Sequence, residues 1–270
     1  MESKLICSVC KRPLQKYANV YRCEDGHSYD IAKEGYVNLI LANNKNSKEP
    51  GDNREMMLAR RNFLNSGAYD KLLEEIATVL KSCVCEDSVI VESGCGEGFY
   101  ISSIKNFFPK TECFGFDISK EAIRFACKRT RNVNFFVSSS YNCNIKSNSA
   151  DIALVIFAPF VELELDRILS DSGTVVLVKP RAEHLLELKQ QFYEQIKPVK
   201  VQTYKKFYVY KTINVSYNIY PSKDNLENLL KMTPFYYQVN DEKKQKLSKI
   251  SLEKGIKVDF FIEVLKKMKI

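Results

Sequence analysis

The sequence predicts a doubly wound α/β sheet with an antiparallel last strand, preceded by a small metal-stapled head. Three observations carry this expectation. From residue 88 onward, short apolar runs alternate with amphipathic stretches of helical period, the pattern of βα units. One of those runs, Val89-Ile90-Val91-Glu92-Ser93, breaks into Gly94-Cys95-Gly96-Glu97-Gly98-Phe99-Tyr100, with glycines at alternate positions between a strand and a helix. Ahead of the units stand Cys7-Ser8-Val9-Cys10 and Cys23-Glu24-Asp25-Gly26-His27, a C-x2-C-x12-C-x3-H spacing.

The head comes first. Two cysteines in a tight knuckle, with a cysteine and a histidine returning from a second turn, supply three thiolates and one imidazole, a closed tetrahedral set for zinc at Cys7, Cys10, Cys23 and His27. Such a set has no open position, so the metal it implies is structural and folds a piece too small for its own core. A redox C-x-x-C is the rival, but nothing nearby resembles a βαβ unit. His27 is one of only two histidines, the other being His184. The odd total of nine cysteines, in a chain of enzyme size, argues for reduced thiols rather than disulfides.

Three parts follow from the composition: a zinc-binding domain at 1–45, a linker and basic helix at 46–66, and the main domain at 67–270. Residues 29–40 read as a turn feeding a short strand, and 43–53, with Pro50-Gly51-Asp52, as a polar loop. Helices are expected at 54–65, with Met57, Ala59, Phe63 and Leu64 apolar and Arg54, Arg60 and Arg61 giving a cationic side, and at 69–80. In the main domain, strands are expected at 88–92, 112–117, 133–138, 150–157 and 173–178. Helices fall between them at 98–108, at 119–129 with Ser119 as cap, and at 161–169. A helix at 184–196 carries Leu185, Leu188, Phe192 and Ile196 on one face, and strands at 206–220 and 256–265 flank a helix around 224–232.

The net charge of +8 is unevenly spread: +3 over residues 1–66, −4 over 67–178 and +9 over 179–270. Excess at both ends fits a phosphate-rich partner, and a solvated lysine-rich surface fits equally well. No apolar run approaches the roughly 20 residues of a membrane helix, and the first residues lack a signal-peptide pattern, so a cytoplasmic protein with no membrane partner is expected.

The glycines suit a nucleotide-like ligand, because a backbone without Cβ takes positive φ and lies directly against what it binds, although a glycine-rich turn alone also marks many ordinary loops. The E-x-G-x-G-x-G order of Glu92 to Gly98 resembles motif I of the S-adenosylmethionine-dependent methyltransferases, the Rossmann-like class I fold. Phe114-Gly115-Phe116-Asp117 then ends a second strand in a carboxylate, where that family binds the cofactor ribose. On this resemblance Gly94, Gly96 and Gly98 admit the amino-acid part of the cofactor and Asp117 accepts from its sugar.

The head motif, Ala32-Lys33-Glu34-Gly35-Tyr36-Val37-Asn38-Leu39, Glu55-Met56-Met57-Leu58-Ala59-Arg60-Arg61-Asn62-Phe63-Leu64, Ala158-Pro159, His184-Leu185 and Met232-Thr233-Pro234-Phe235 together resemble the RlmA-type large-subunit rRNA guanine-N1 methyltransferases over nearly the whole chain. The resemblance implies methyl transfer from S-adenosylmethionine to N1 of one guanine in a 23S rRNA hairpin, with large-subunit rRNA as partner and a homodimer left open. It also brings Tyr69, Glu97 and His184 to the cofactor pocket. By themselves, Tyr69 reads as a helix-start packing residue and His184 as a histidine at a helix end.

Phe157-Ala158-Pro159-Phe160 closes the fourth strand and either stacks a base or simply stops the strand. Glu162 and Asp166 are the nearest candidates for a base that takes the guanine N1 proton, with a solvated helix face as the plainer account of both. No catalytic residue is assigned. Two rival functions remain: a small-molecule or protein methyltransferase with a structural zinc module, and a non-catalytic RNA-binding protein.

Overall fold

The computed structural model describes residues 3–41, 53–192, 202–233 and 255–268. In the head, β1 (Gln15–Tyr17), β2 (Val20–Arg22) and β3 (Ser28–Asp30) form an antiparallel three-stranded ribbon. The main sheet has eight strands in the order β10-β11-β9-β8-β5-β6-β7-β4. These are β4 (Val37–Asn38), β5 (Val89–Ser93), β6 (Glu112–Asp117), β7 (Asn134–Val137), β8 (Ala150–Ile156), β9 (Leu169–Pro180), β10 (Phe207–Ile219) and β11 (Ile256–Lys267). Every pairing from β4 across to β9 is parallel, and β11 runs antiparallel to both β9 and β10. The chain leaves β5 for β6 on one side and reaches β8 on the other, so the switch point where such sheets bind ligands lies at the carboxyl end of β5.

Helices α1 (Arg54–Leu64), α2 (Asp70–Lys81), α3 (Phe99–Phe107), α4 (Lys120–Arg129), α6 (Leu186–Phe192) and α7 (Lys223–Lys231) occupy one side of the sheet. There Phe63, Leu72, Ile76 and Leu80 pack with Ile90, Ile104, Ile123, Leu154 and Phe260 in one apolar core. On the other face α5 (Glu162–Ile168) supplies Leu165 and Ile168, and the head supplies Leu5, Leu14, Val37 and Leu39 against Val91, Phe114, Phe116 and Phe136. No helix joins β7 to β8; the connection at 138–149 runs under the head. The zinc module therefore takes the place of a covering helix. Each large apolar side chain it buries there contributes about 2 kcal/mol.

The expected helices and strands recur with small shifts. The strand expected at 173–178 extends from Leu169 to Pro180. The helix expected from 184 starts at Leu186, because Leu185 takes a left-handed φ of 54° that breaks the helical path. Its continuation past 192, the loop at 43–52, and Pro234-Phe235 lie outside the described residues. Among the described residues no helix is long and apolar enough to cross a membrane.

Candidate active site and zinc centre

Three left-handed glycines, Gly94 (φ 70°), Gly96 (54°) and Gly98 (80°), turn the chain from β5 into α3. The turn is strapped to the end of β6. The amides of Gly94 and Cys95 both donate to the Phe116 carbonyl at 2.9 Å, and the Gly96 amide donates to Asp117 Oδ2 at 3.0 Å. Asp117 Oδ1 accepts from the Ser119 amide at 2.8 Å, so this carboxylate organises both the glycine turn and the start of α4. Glu92, only 1 % exposed, accepts from the Ile101 amide in the first turn of α3, and burial pushes its carboxyl well above the ordinary carboxylate range.

The glycines serve two purposes. A Cβ on Gly94 would stand 2.6 Å from the Ala158 Cβ, too close for two carbons, so glycine there lets the ends of β5 and β8 meet at the cavity wall. Gly98 is off that wall: its Cβ would meet Ala126 at 2.9 Å and Phe135 at 3.0 Å, so it lets α3 and α4 close on the sheet. Of the three glycines expected at the cofactor, Gly94 and Gly96 line the cavity and Gly98 does not.

At the carboxyl ends of the parallel strands lies a cavity of about 720 Å³, whose walls include Gly94, Gly96, Glu97, Asp117, Tyr69 and His184. That is six of the seven residues expected at a cofactor pocket, drawn from four separate parts of the chain. The cavity meets solvent at exposed apolar side chains, Ile118, Tyr141 and Phe157. Phe157 holds φ at 54°, a left-handed geometry costly for an aromatic residue, and the residue is 43 % exposed. Its ring stands beside those of Phe260 at 5.3 Å, Tyr100 at 6.3 Å and Tyr69 at 6.4 Å, along the cavity wall. Tyr69, 2 % exposed, stands edge-on to Phe63 at 5.1 Å and to Phe260 at 5.2 Å, and forms wall rather than mouth.

His184 sits 4.5 Å from the Phe260 ring, and its Nδ1 accepts from the Asp259 amide at 3.3 Å. The remaining ring nitrogen, Nε2, then carries the proton and is a donor. Burial lowers the pKa to about 3, with the Lys189 charge acting in the same direction, so the ring is neutral at pH 7. Because the unfolded chain binds this proton below about pH 6.5 and the folded one does not until about pH 3, acid destabilises the native state across that window. Compared with a His184→Gln variant in urea melts, the wild type is expected to lose about 1–2 kcal/mol more between pH 6.5 and pH 5. Parallel curves would rule this out.

Glu97 is 1 % exposed and its carboxylate is fully engaged: Arg61 Nε donates at 2.9 Å and Arg129 Nη2 at 2.7 Å. Arg61 also donates to the Phe125 carbonyl, so this part of the expected cationic side of α1 faces the protein interior; Arg60 lines the cavity. Neither base candidate reaches the cavity. Glu162 accepts from the amides of Lys205 and Lys206 at 2.6 and 2.7 Å, and Asp166 pairs with Lys267 at 3.2 Å.

In the head, the ligand atoms of Cys7, Cys10, Cys23 and His27 all lie within 4.8 Å of one another. Cys10 and Cys23 sulfurs are 3.6 Å apart and Cys23 Sγ is 3.3 Å from His27 Nδ1, separations that suit the edges of a zinc tetrahedron. The Tyr29 hydroxyl at 3.1 Å and the Val9 amide at 3.4 Å surround Cys7 Sγ, as outer partners do for a bound thiolate. The donor set fits structural zinc. The cavity likewise fits S-adenosylmethionine, being of small-molecule size with the Asp117 carboxylate and the backbone of Gly94 and Gly96 on its wall.

Two family models match: the N-terminal region of RlmA over residues 5–48 and a methyltransferase domain over residues 90–180. The chain is 32% identical over 187 residues to a 23S rRNA (guanine(748)-N(1))-methyltransferase of Streptomyces fradiae, covering 68% of this chain and 66% of that one. It is 30% identical to a putative 23S rRNA (guanine-N(1)-)-methyltransferase of Micromonospora griseorubida, covering 68% of both. The matches thus span about two thirds of these relatives' own length. The crystal structure of the MccD protein aligns with a TM-score of 0.47 at 14% identity, over 69% of this chain and 92% of that one, a likeness too loose to carry any argument. With a zinc-ligand set in the ribbon, a class I methyltransferase sheet behind it and these relatives, the chain belongs to the RlmA-type 23S rRNA (guanine-N1)-methyltransferase family.

Proposed function

We propose that this enzyme transfers a methyl group from S-adenosylmethionine to N1 of one guanine in a hairpin of 23S rRNA, in the cytoplasm. The observation that carries the reading is a single cavity walled by the glycine turn and Asp117 on one side and by the Phe157–Pro159 strand end on the other. When bound, the cofactor supplies a methyl already activated on a sulfonium. The chain's own task is then alignment, which is worth more here than acid-base power. Gly94 and Gly96 let the backbone approach the cofactor, Asp117 offers carboxylate oxygens to the ribose, and Tyr69, Glu97 and His184 complete that end of the cavity. Glu97 contributes through its position on the turn, its carboxylate being held by Arg61 and Arg129.

The mouth suits a base turned out of its helix. Phe157 offers a ring for stacking, and a cavity of about 720 Å³ falls within the 300–1,000 Å³ typical of small-molecule sites. His184 acts as a neutral N–H donor in this reading, not as the base for the guanine N1 proton. Residues 1–45 form the zinc module, 46–66 the link with its helix, and 67–270 the catalytic domain. The homodimer left open by the sequence has no observation in its favour.

The test is direct. Incubated with S-adenosylmethionine and unmodified 23S rRNA, the protein should produce one N1-methylguanosine, read as a single new stop in primer extension and confirmed by nucleoside mass spectrometry. Methyl transfer to another atom, or to protein or small molecules with RNA untouched, would overturn the proposal.

A further inference from the structure

The zinc knuckle continues past its metal ligands into the cavity wall. Asn144, 3 % exposed, is the junction. Its Nδ2 donates to the Ile6 carbonyl at 3.0 Å and to Ser8 Oγ at 3.1 Å, beside Cys7, while its Oδ1 accepts from the Ser138 hydroxyl at 2.9 Å. Backbone bonds extend the seam: the Ile6 amide donates to the Asn144 carbonyl at 2.9 Å and the Lys146 amide to the Lys4 carbonyl at 2.8 Å. Next to Cys10, Lys11 donates from Nζ to Asn142 Oδ1 at 2.9 Å.

Between Ser138, held by Asn144, and Asn142, held by Lys11, lies a tight turn, closed by the Asn142 amide on the Ser139 carbonyl at 3.3 Å and by the Tyr141 amide on Ser139 Oγ at 3.2 Å. Ser139, Ser140 and Tyr141 line the cavity. The turn also grips the cofactor end twice, through Ser140 Oγ against Ser93 Oγ at 3.0 Å and the Ser138 amide on the Asp117 carbonyl at 3.0 Å. Tyr141 is 74 % exposed; the turn is held by the knuckle on one flank, by β5 and β6 on the other, and by α5 just beyond it, where Glu164 Oε1 accepts from the Cys143 amide at 2.6 Å and Arg167 donates to the Cys143 and Ile145 carbonyls at 3.0 and 2.8 Å.

We propose that the zinc knuckle is the outer support of the cofactor pocket, with Asn144 as its positioning residue, so that metal occupancy and cofactor affinity are linked. The inference rests on the methyl-donor part of the proposed function and is independent of the RNA acceptor. A metal that holds the knuckle holds the turn, and the turn holds one wall of the ligand's site. Linkage makes the effect reciprocal: ligand in the pocket must retain zinc to the same degree that zinc retains ligand.

The test uses the full-length zinc-loaded chain, with S-adenosylhomocysteine as probe in calorimetry. Asn144→Ala should keep one zinc per chain, bind the probe about tenfold more weakly, and exchange the amides of 138–145 faster. Lys11→Ala removes an exposed side chain with one bond to the turn and should weaken binding about two- to threefold, which keeps a readout should Asn144→Ala misfold. In the wild type, saturating probe should raise the concentration of a chromophoric chelator needed for half of the zinc to be released at equilibrium. Unchanged affinity in a folded, zinc-loaded Asn144→Ala, or zinc release indifferent to the probe, would overturn the proposal. A wild-type protein that binds no probe would instead overturn the methyl-donor reading itself.

Discussion

Gly94→Ala is expected to weaken S-adenosylmethionine binding at least about a hundredfold, a loss of some 3 kcal/mol, while Gly98→Ala costs stability and leaves the affinity of the folded fraction nearly intact. Both positions require left-handed φ, 70° and 80°, so each alanine carries a backbone penalty of about 1 kcal/mol. Their surroundings differ. The new methyl at 94 would stand 2.6 Å from Ala158 Cβ on the cavity wall, so the glycine turn or the loop after β8 must shift there. At 98 the methyl meets Ala126 and Phe135 in the packed layer behind the wall, and overpacking there adds roughly 1–3 kcal/mol of destabilisation. Isothermal calorimetry beside thermal melts separates the two outcomes. If both variants lose affinity equally, the division of labour among the glycines is wrong.

The second large effect is expected at the metal. Cys23→Ser removes one thiolate from a set whose atoms all lie within 4.8 Å, and the variant should purify with little zinc. Structural zinc is worth about 10–16 kcal/mol to isolated finger peptides. Here the head also buries Leu5, Leu14, Val37 and Leu39 against the sheet, so part of its order survives on packing alone. A fall in Tm of roughly 10 °C or more, with aggregation on heating as the β7 edge loses its cover, is the predicted result. Zinc-free protein that melts at the wild-type temperature would show that the head needs no metal.

The parts of this molecule written in local pattern were legible in its sequence. β6 matches the expected 112–117 strand, Ser119 accepts from the Ala122 amide as the cap of α4, and the four zinc ligands cluster as their spacing requires. Three strands of three residues in the ribbon left no signal, being too short and too exposed to show alternation. β4 is two residues long and pairs in parallel with a distant strand, so only the fold could reveal that the head completes the main sheet. The arginines show another limit. Arg61 reads as a surface cation until Glu97 and the Phe125 carbonyl are seen facing it. Phe157 is similar: its residue type hints at stacking, but its left-handed backbone is set by the strand end and the packing around it.

The pairing of Val37 with Phe136 also imposes an order on biosynthesis. About a hundred residues separate the two partners, which at ribosomal rates of 5–20 residues per second amounts to roughly 5–20 s of translation. During that interval the nascent ribbon can capture its metal but has nowhere to dock, and its apolar underside waits for β7 to emerge. Slowing elongation between codons 40 and 137 would lengthen that exposed interval, so yield in the cell should respond to codon choice in this stretch more than in the stretch after it.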